Sequence, residues 1–147
     1  MNGHILVPVD GSERSIDALE FALQEHPEAT ITVFHVVNPN EFYKPPNYEG
    51  GSLAGYEHPD QVFEHYEERA EDILSKTIAA VDADDRDIRT DFEVGDTARE
   101  IVKYIDNNGF DYVVIGSHGR TGISRILLGS VAEKVTRRSA VPVTVVR

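Results

Sequence analysis

His4-Ile5-Leu6-Val7-Pro8-Val9-Asp10-Gly11-Ser12 is a short, β-branched apolar run that stops at a turn, so it reads as a buried strand handing over to a helix. Ser12 supplies the N-cap and Glu13 an acid for the first turn. Ile16, Leu19, Ala22 and Leu23 then recur at helical spacing until His26-Pro27 ends the pattern. The same alternation continues outward from this unit. Residues 29–37 read as a second strand, and 38–55, with three prolines and scattered Gly and Asn, as a long loop. His58-Pro59-Asp60 opens a long acidic helix with an apolar face of Val62, Phe63, Tyr66, Ala70, Ile73, Leu74, Thr77, Ile78 and Val81. Residues 88–94 alternate with period two, the pattern of a strand with one wet face at a sheet edge. Asp96 caps a further helix that Asn107-Asn108-Gly109 closes. Tyr112-Val113-Val114-Ile115 is a fully apolar strand, 130–139 a last helix and 141–146 a last strand. The order β-α-β-α-β-α-β-α-β predicts one doubly wound, five-stranded parallel sheet with helices on both faces, in a single domain spanning 1–147. Ligands of such sheets sit beyond the carboxyl ends of the strands, where strand order reverses.

Composition narrows the function. The 147 residues carry 14 Lys+Arg against 26 Asp+Glu, a net charge of −12, and no cysteine. The missing thiols exclude a disulfide framework, a thiolate zinc site and a cysteine nucleophile. Apolar runs fall well short of the roughly 18 residues of a membrane span, and no secretory leader is visible, so a cytoplasmic protein with no membrane partner is expected. Charge is unevenly spread: residues 1–115 hold 8 Lys+Arg and 25 Asp+Glu, net −17, whereas 116–147 hold 6 and 1, net +5. An acidic body repels nucleic acid, while a small anion still finds the basic tail.

That tail contains Gly116-Ser117-His118-Gly119-Arg120-Thr121-Gly122-Ile123-Ser124-Arg125-Ile126-Leu127-Leu128-Gly129-Ser130. Glycines at a strand tip let backbone N–H groups approach phosphate oxygens. Gly129-Ser130 opens a helix whose N-terminus favours an anion. A glycine turn with a helix cap is the plainer reading of the same residues. Neither a G-x-x-x-x-G-K-[ST] loop nor a G-x-G-x-x-G fingerprint after the first strand is present. His118 has no companion that makes a metal site or an acid–base pair, and reads as a polar loop residue. His35 reads as a hydrogen-bonded core histidine, and Arg137-Arg138 as helix-end charges on a solvated surface.

Gly116-x-x-Gly119, nine residues and Gly129-Ser130 match the G-2x-G-9x-G-[ST] pattern of the ATP-binding universal stress protein family, which the chain resembles over nearly its whole length. Residues 5–12 are similar to that family's first strand and acidic tip, Phe34-His35-Val36-Val37 to the end of its second strand, and 140–146 to its last. The resemblance implies a Rossmann-like (HUP-type) fold that binds ATP, with Mg or Mn through the phosphates, for nucleotide-dependent stress signalling with little or no turnover. Carried over residue by residue, Asp10 lies at the ribose or near the adenine, and the Val36 backbone at the adenine edge. Gly116, Gly119, Arg120, Gly129, Ser130 and Val131 surround the ribose and phosphates. Asp10 also suits an Asx turn, and the two roles are compatible. The resemblance further implies a homodimer through the last strand, 141–146, which as an apolar outer edge would otherwise stay open, and an unidentified protein partner.

Two other classes share features of this sequence. A phosphoacceptor receiver domain needs a second acid beside Asp10, a phosphorylatable Asp after the third strand and a Lys near the fifth; here the third strand ends in Val94-Gly95 and the last strand has no Lys. A nucleotide-free relative acting only through protein contacts, or a slow ATPase, remains open. Only four lysines against ten arginines, with runs such as Asp82-Ala83-Asp84-Asp85-Arg86-Asp87, suit a high-salt cytoplasm. The expected outcome is a melting temperature that rises in molar KCl. A melting curve indifferent to salt would remove the halophilic reading.

Overall fold

The computed structural model describes residues 3–42, 59–118 and 128–147. In it the chain alternates β1 (His4–Pro8), α1 (Glu13–Glu25), β2 (Thr30–Val37), a one-turn α2 (Pro39–Phe42), α3 (Pro59–Ala79), β3 (Ile88–Val94), α4 (Thr97–Asn108), β4 (Tyr112–Gly116), α5 (Ser130–Arg138) and β5 (Val143–Val146). All strand pairs are parallel and the order is β3-β2-β1-β4-β5. The chain therefore walks from β1 to β3 in one direction and restarts on the other side of β1. The switch point lies between β1 and β4.

The continuous apolar strands are split by their pleat into two cores, because successive side chains point to opposite faces. Ile5, Val7, Val9, Ile31, Val33 and Val114 pack beneath α1 and α3 with Leu19, Ala22, Leu23, Ile73 and Leu74. Leu6, Phe34, Val36, Val113 and Ile115 pack beneath α4 and α5 with Ile101, Ile105, Ala132 and Val135. Leu6, Phe34, Val113 and Val114 are completely buried. Phe63, expected on the buried face of α3, is 52% exposed; among the described residues its ring meets Phe92 at 6.0 Å.

Both helix caps expected from sequence form. Ser12 Oγ accepts from Ser15 N–H (3.2 Å) and Asp96 Oδ2 from Arg99 N–H (3.1 Å), while Gly109 closes α4 at φ 65°, a left-handed conformation suited to glycine. The strand ends are trimmed for local reasons. Ala29 N–H is drawn back to His26 O (3.2 Å), so β2 starts one residue late. Pro142 has no N–H to give, although its carbonyl still accepts from Val113 N–H (2.9 Å), so β5 starts at Val143 rather than Val141. The loop expected over 38–55 begins instead as α2, where Asn38 Oδ1 accepts from Asn40 N–H (3.0 Å) and Pro39 fits the first helical position. The rest of that loop, 43–55, lies outside the described residues. No helix among the described residues is long and apolar enough to cross a membrane.

At the amino end of β1 the His4 ring packs against Phe110 (centroids 4.3 Å apart), and its Nε2 shares a 2.8 Å hydrogen bond with the Thr32 hydroxyl. Burial, and secondarily the nearby Arg89 charge, holds its pKa below 6.5, outweighing the opposite pull of Asp111 and Asp87. The unfolded chain therefore takes up this proton first as pH falls. The stability tied to neutral His4 is complete above pH 6.5 and is lost as pH drops through the lower native value. Acidification from about pH 7.5 to about pH 5.5 should lower the melting temperature more in the wild type than in His4→Gln. Parallel curves would contradict this.

Candidate functional site

A cleft of about 450 Å³ opens along the carboxyl ends of β1, β2 and β4, spanning the switch point. Strand β1 delivers Asp10 to it, β2 delivers His35 to Asn38, and β4 delivers Gly116 and, just beyond it, His118. Helix α5 enters end-on with Gly129, Ser130, Val131 and Ala132, while α3 contributes Arg69 and Ile73 and α4 contributes Thr97 and Ile101.

Asp10 does the local work expected of an acid at a turn. Its Oδ1 accepts from Ser12 N–H at 2.9 Å, and Gly11 turns the chain at φ 83°. The carboxylate is thereby held at the mouth of the cleft. One strand over, buried His35 shares a 2.7 Å hydrogen bond between its Nδ1 and Val9 O, which ties the ends of β1 and β2 together. It is the core histidine that the sequence suggests. His118 Nδ1 lies 3.0 Å from Ser117 Oγ.

The two described glycines of the motif are packing residues in the first instance. A Cβ on Gly116 would stand 2.9 Å from Arg14 O, in the first turn of α1. One on Gly129 would stand 2.8 Å from His118 Cα and 2.9 Å from Ser117 O. Gly129 N–H is itself spent on Ser117 O at 2.6 Å, so it is not offered to an anion. The helix begins after it, with Glu133 N–H donating to Gly129 O at 2.9 Å. Gly129 has no side chain with which to cap the turn. The amides of Ser130, Val131 and Ala132 thus precede the first intrahelical bond and have no partner among the described residues. They sit at the positive end of the α5 dipole and on the wall of the cleft.

Six of the eight residues singled out from sequence (Asp10, Val36, Gly116, Gly129, Ser130 and Val131) line this one cleft. Gly119 and Arg120 lie outside the described residues. Sequence reasoning missed Arg69, Thr97 and Ile101. Thr97 was within reach as the residue after the Asp96 cap. Nothing local marks Arg69, which stands among acids on a helix far away in the chain. Among the described residues no group of three His, Asp or Glu is placed to hold a metal ion.

Comparison with known proteins agrees with this architecture. The sequence model of the universal stress protein family matches residues 1–147. The chain belongs to the universal stress protein family. It is 32% identical over 145 residues to universal stress protein MJ0531 of Methanocaldococcus jannaschii, covering 97% of this chain and 81% of that one. The solved structure of MJ0577, from the same organism, superimposes with a TM-score of 0.73 at 27% identity, over 99% of this chain and 96% of that chain. A universal stress protein crystallised in complex with cAMP shares the fold, with a TM-score of 0.69 at 24% identity over 99% and 97% of the two chains.

For this universal stress protein, Gly129→Ala forces a methyl group into backbone rather than into a yielding side chain. The expected cost is about 1–3 kcal/mol, read as a lower urea midpoint. An unchanged midpoint would show that the α5 entry has room to spare.

Proposed function

We propose that this universal stress protein binds an adenine nucleotide, ATP, in the cleft at the switch point and uses its occupancy to govern contacts with a protein partner, with little or no turnover. The observation that carries the reading is the meeting of two complementary groups on one cavity wall. The amides at the start of α5, which have no partner among the described residues, suit phosphate oxygens. The Asp10 carboxylate, across the β4–β1 gap, suits ribose hydroxyls. A base placed beyond the ribose reaches the end of β2 and the Val36 backbone. The volume, about 450 Å³, lies within the usual range for small-ligand pockets. The cAMP held by a protein of the same fold supports this class of ligand.

Gly119 and Arg120 complete the phosphate side in this reading. Mg or Mn would accompany the triphosphate through its own oxygens and water, which requires few protein ligands. The reading also places the protein in the cytoplasm as a homodimer paired through 141–146: β5 is an outer strand of the sheet, with Val143, Val145 and Val146 half-buried. One observation favours a second reading, in which the protein works by contacts alone. Gly116 and Gly129 are required by packing whether or not a nucleotide binds.

Denaturing fresh protein and weighing what it releases by mass spectrometry, then titrating the stripped protein with ATP by calorimetry, separates the two. Wild type should bind ATP and sediment with twice the chain mass. Ser130→Asp, whose carboxylate suits the α5 dipole but repels phosphate, should bind at least about tenfold more weakly with no loss of melting temperature. If wild type neither releases nor binds a nucleotide, the contacts-only reading stands.

A further inference from the structure

We infer that Arg69 forms the face of the base-binding end of the cleft, its guanidinium plane lying against the purine. This rests on the nucleotide reading above and adds to it a residue that the glycine motif does not contain. Among the described cleft residues Arg69 is the one Lys or Arg, and Asp10 the one carboxylate. Arg69 is half-buried on α3, four residues before Ile73, so the two share a helix face, and both line the cavity. Its helical neighbours fix where that face sits: Tyr66 and Ala70 pack with Val37, at the end of β2.

Position along the sheet decides what Arg69 can meet. The start of α5 is tied to the end of β4, where Gly129 N–H donates to Ser117 O, whereas α3 packs on β2 and β3. With β1 between them, β2 and β4 are about 10 Å apart at the usual strand spacing. Phosphates at the α5 N-terminus therefore leave the ribose near Asp10 and the base beside β2, beneath Arg69. A guanidinium at that distance from the phosphates is poorly placed to neutralise them. It is well placed to do what arginine does beside nucleic-acid bases, which is to stack its plane on a π-face. Its charge also offsets, at the mouth of the cleft, the field of a body that carries net −17 over residues 1–115.

Stacking and charge neutralisation make different demands, and three proteins and two ligands separate them. Wild type, Arg69→Lys and Arg69→Gln are titrated with adenosine and with ATP by calorimetry, after circular dichroism melts establish that all three are folded. If the plane is what matters, both variants lose roughly tenfold in affinity, by about the same factor for adenosine as for ATP, and lysine does not rescue. A loss that is confined to ATP and restored by lysine would make Arg69 a phosphate contact and overturn the inference, as would affinities that do not change. Wild type that binds neither ligand would overturn the nucleotide reading itself and take this inference with it. Wild type that binds ATP with Arg69 immaterial would leave that reading intact.

Discussion

At the end of β4 three backbones come within contact distance. Gly116 lies against the carbonyl of Arg14 in α1, and Gly129, at the start of α5, lies against Ser117 and His118. Ser117 bonds in both directions, its N–H to Val146 O at 2.8 Å and its carbonyl to Gly129 N–H at 2.6 Å. One buried residue thus joins the outer strand β5 to the helix that walls the cleft. A side chain at either glycine would push α1 or α5 off the sheet edge and close or skew the cavity between them. The shape of the cleft depends on this absence of Cβ atoms.

That constraint shows what the amino-acid sequence makes legible and what it hides. Strand and helix order follow from local pattern, because parallel strands buried on both faces must be continuously apolar, and α1 and α4 start or stop at residues with a definite capping role: Ser12, Asp96 and Gly109. Strand boundaries are less readable. Ala29 is drawn into a turn and Pro142 lacks a donor, so both are decided by individual hydrogen bonds. Phe63 has the spacing of a core residue yet is exposed, because periodicity reports which face a residue shares and not how far its neighbours cover that face.

The cleft is partly legible for the same reason. Asp10, Val36, Gly116, Gly129, Ser130 and Val131 stand at strand ends or a helix start, the places where a doubly wound sheet puts its ligands. For the glycines the pattern identifies the position correctly but gives only half of the physics: Gly129 serves close packing and spends its own N–H on Ser117, so the amides left over are those after it. Arg69 is invisible to any such pattern. It reaches the cavity only because α3 lies over β2, a fact of tertiary packing between segments more than thirty residues apart.

The two outer strands of the sheet differ in kind. Along β3, Arg89, Asp91 and Glu93 interrupt the apolar residues, whereas β5 is Val143-Thr144-Val145-Val146 without a charge. A ribbon approaching β3 in register would have to strip water from ions of both signs, and one approaching β5 would not. The sheet is therefore sticky at one end and guarded at the other. In the homodimer proposed above, association through β5 would consume that apolar edge and leave only charged edges outward, so growth would terminate by itself instead of propagating into a fibre.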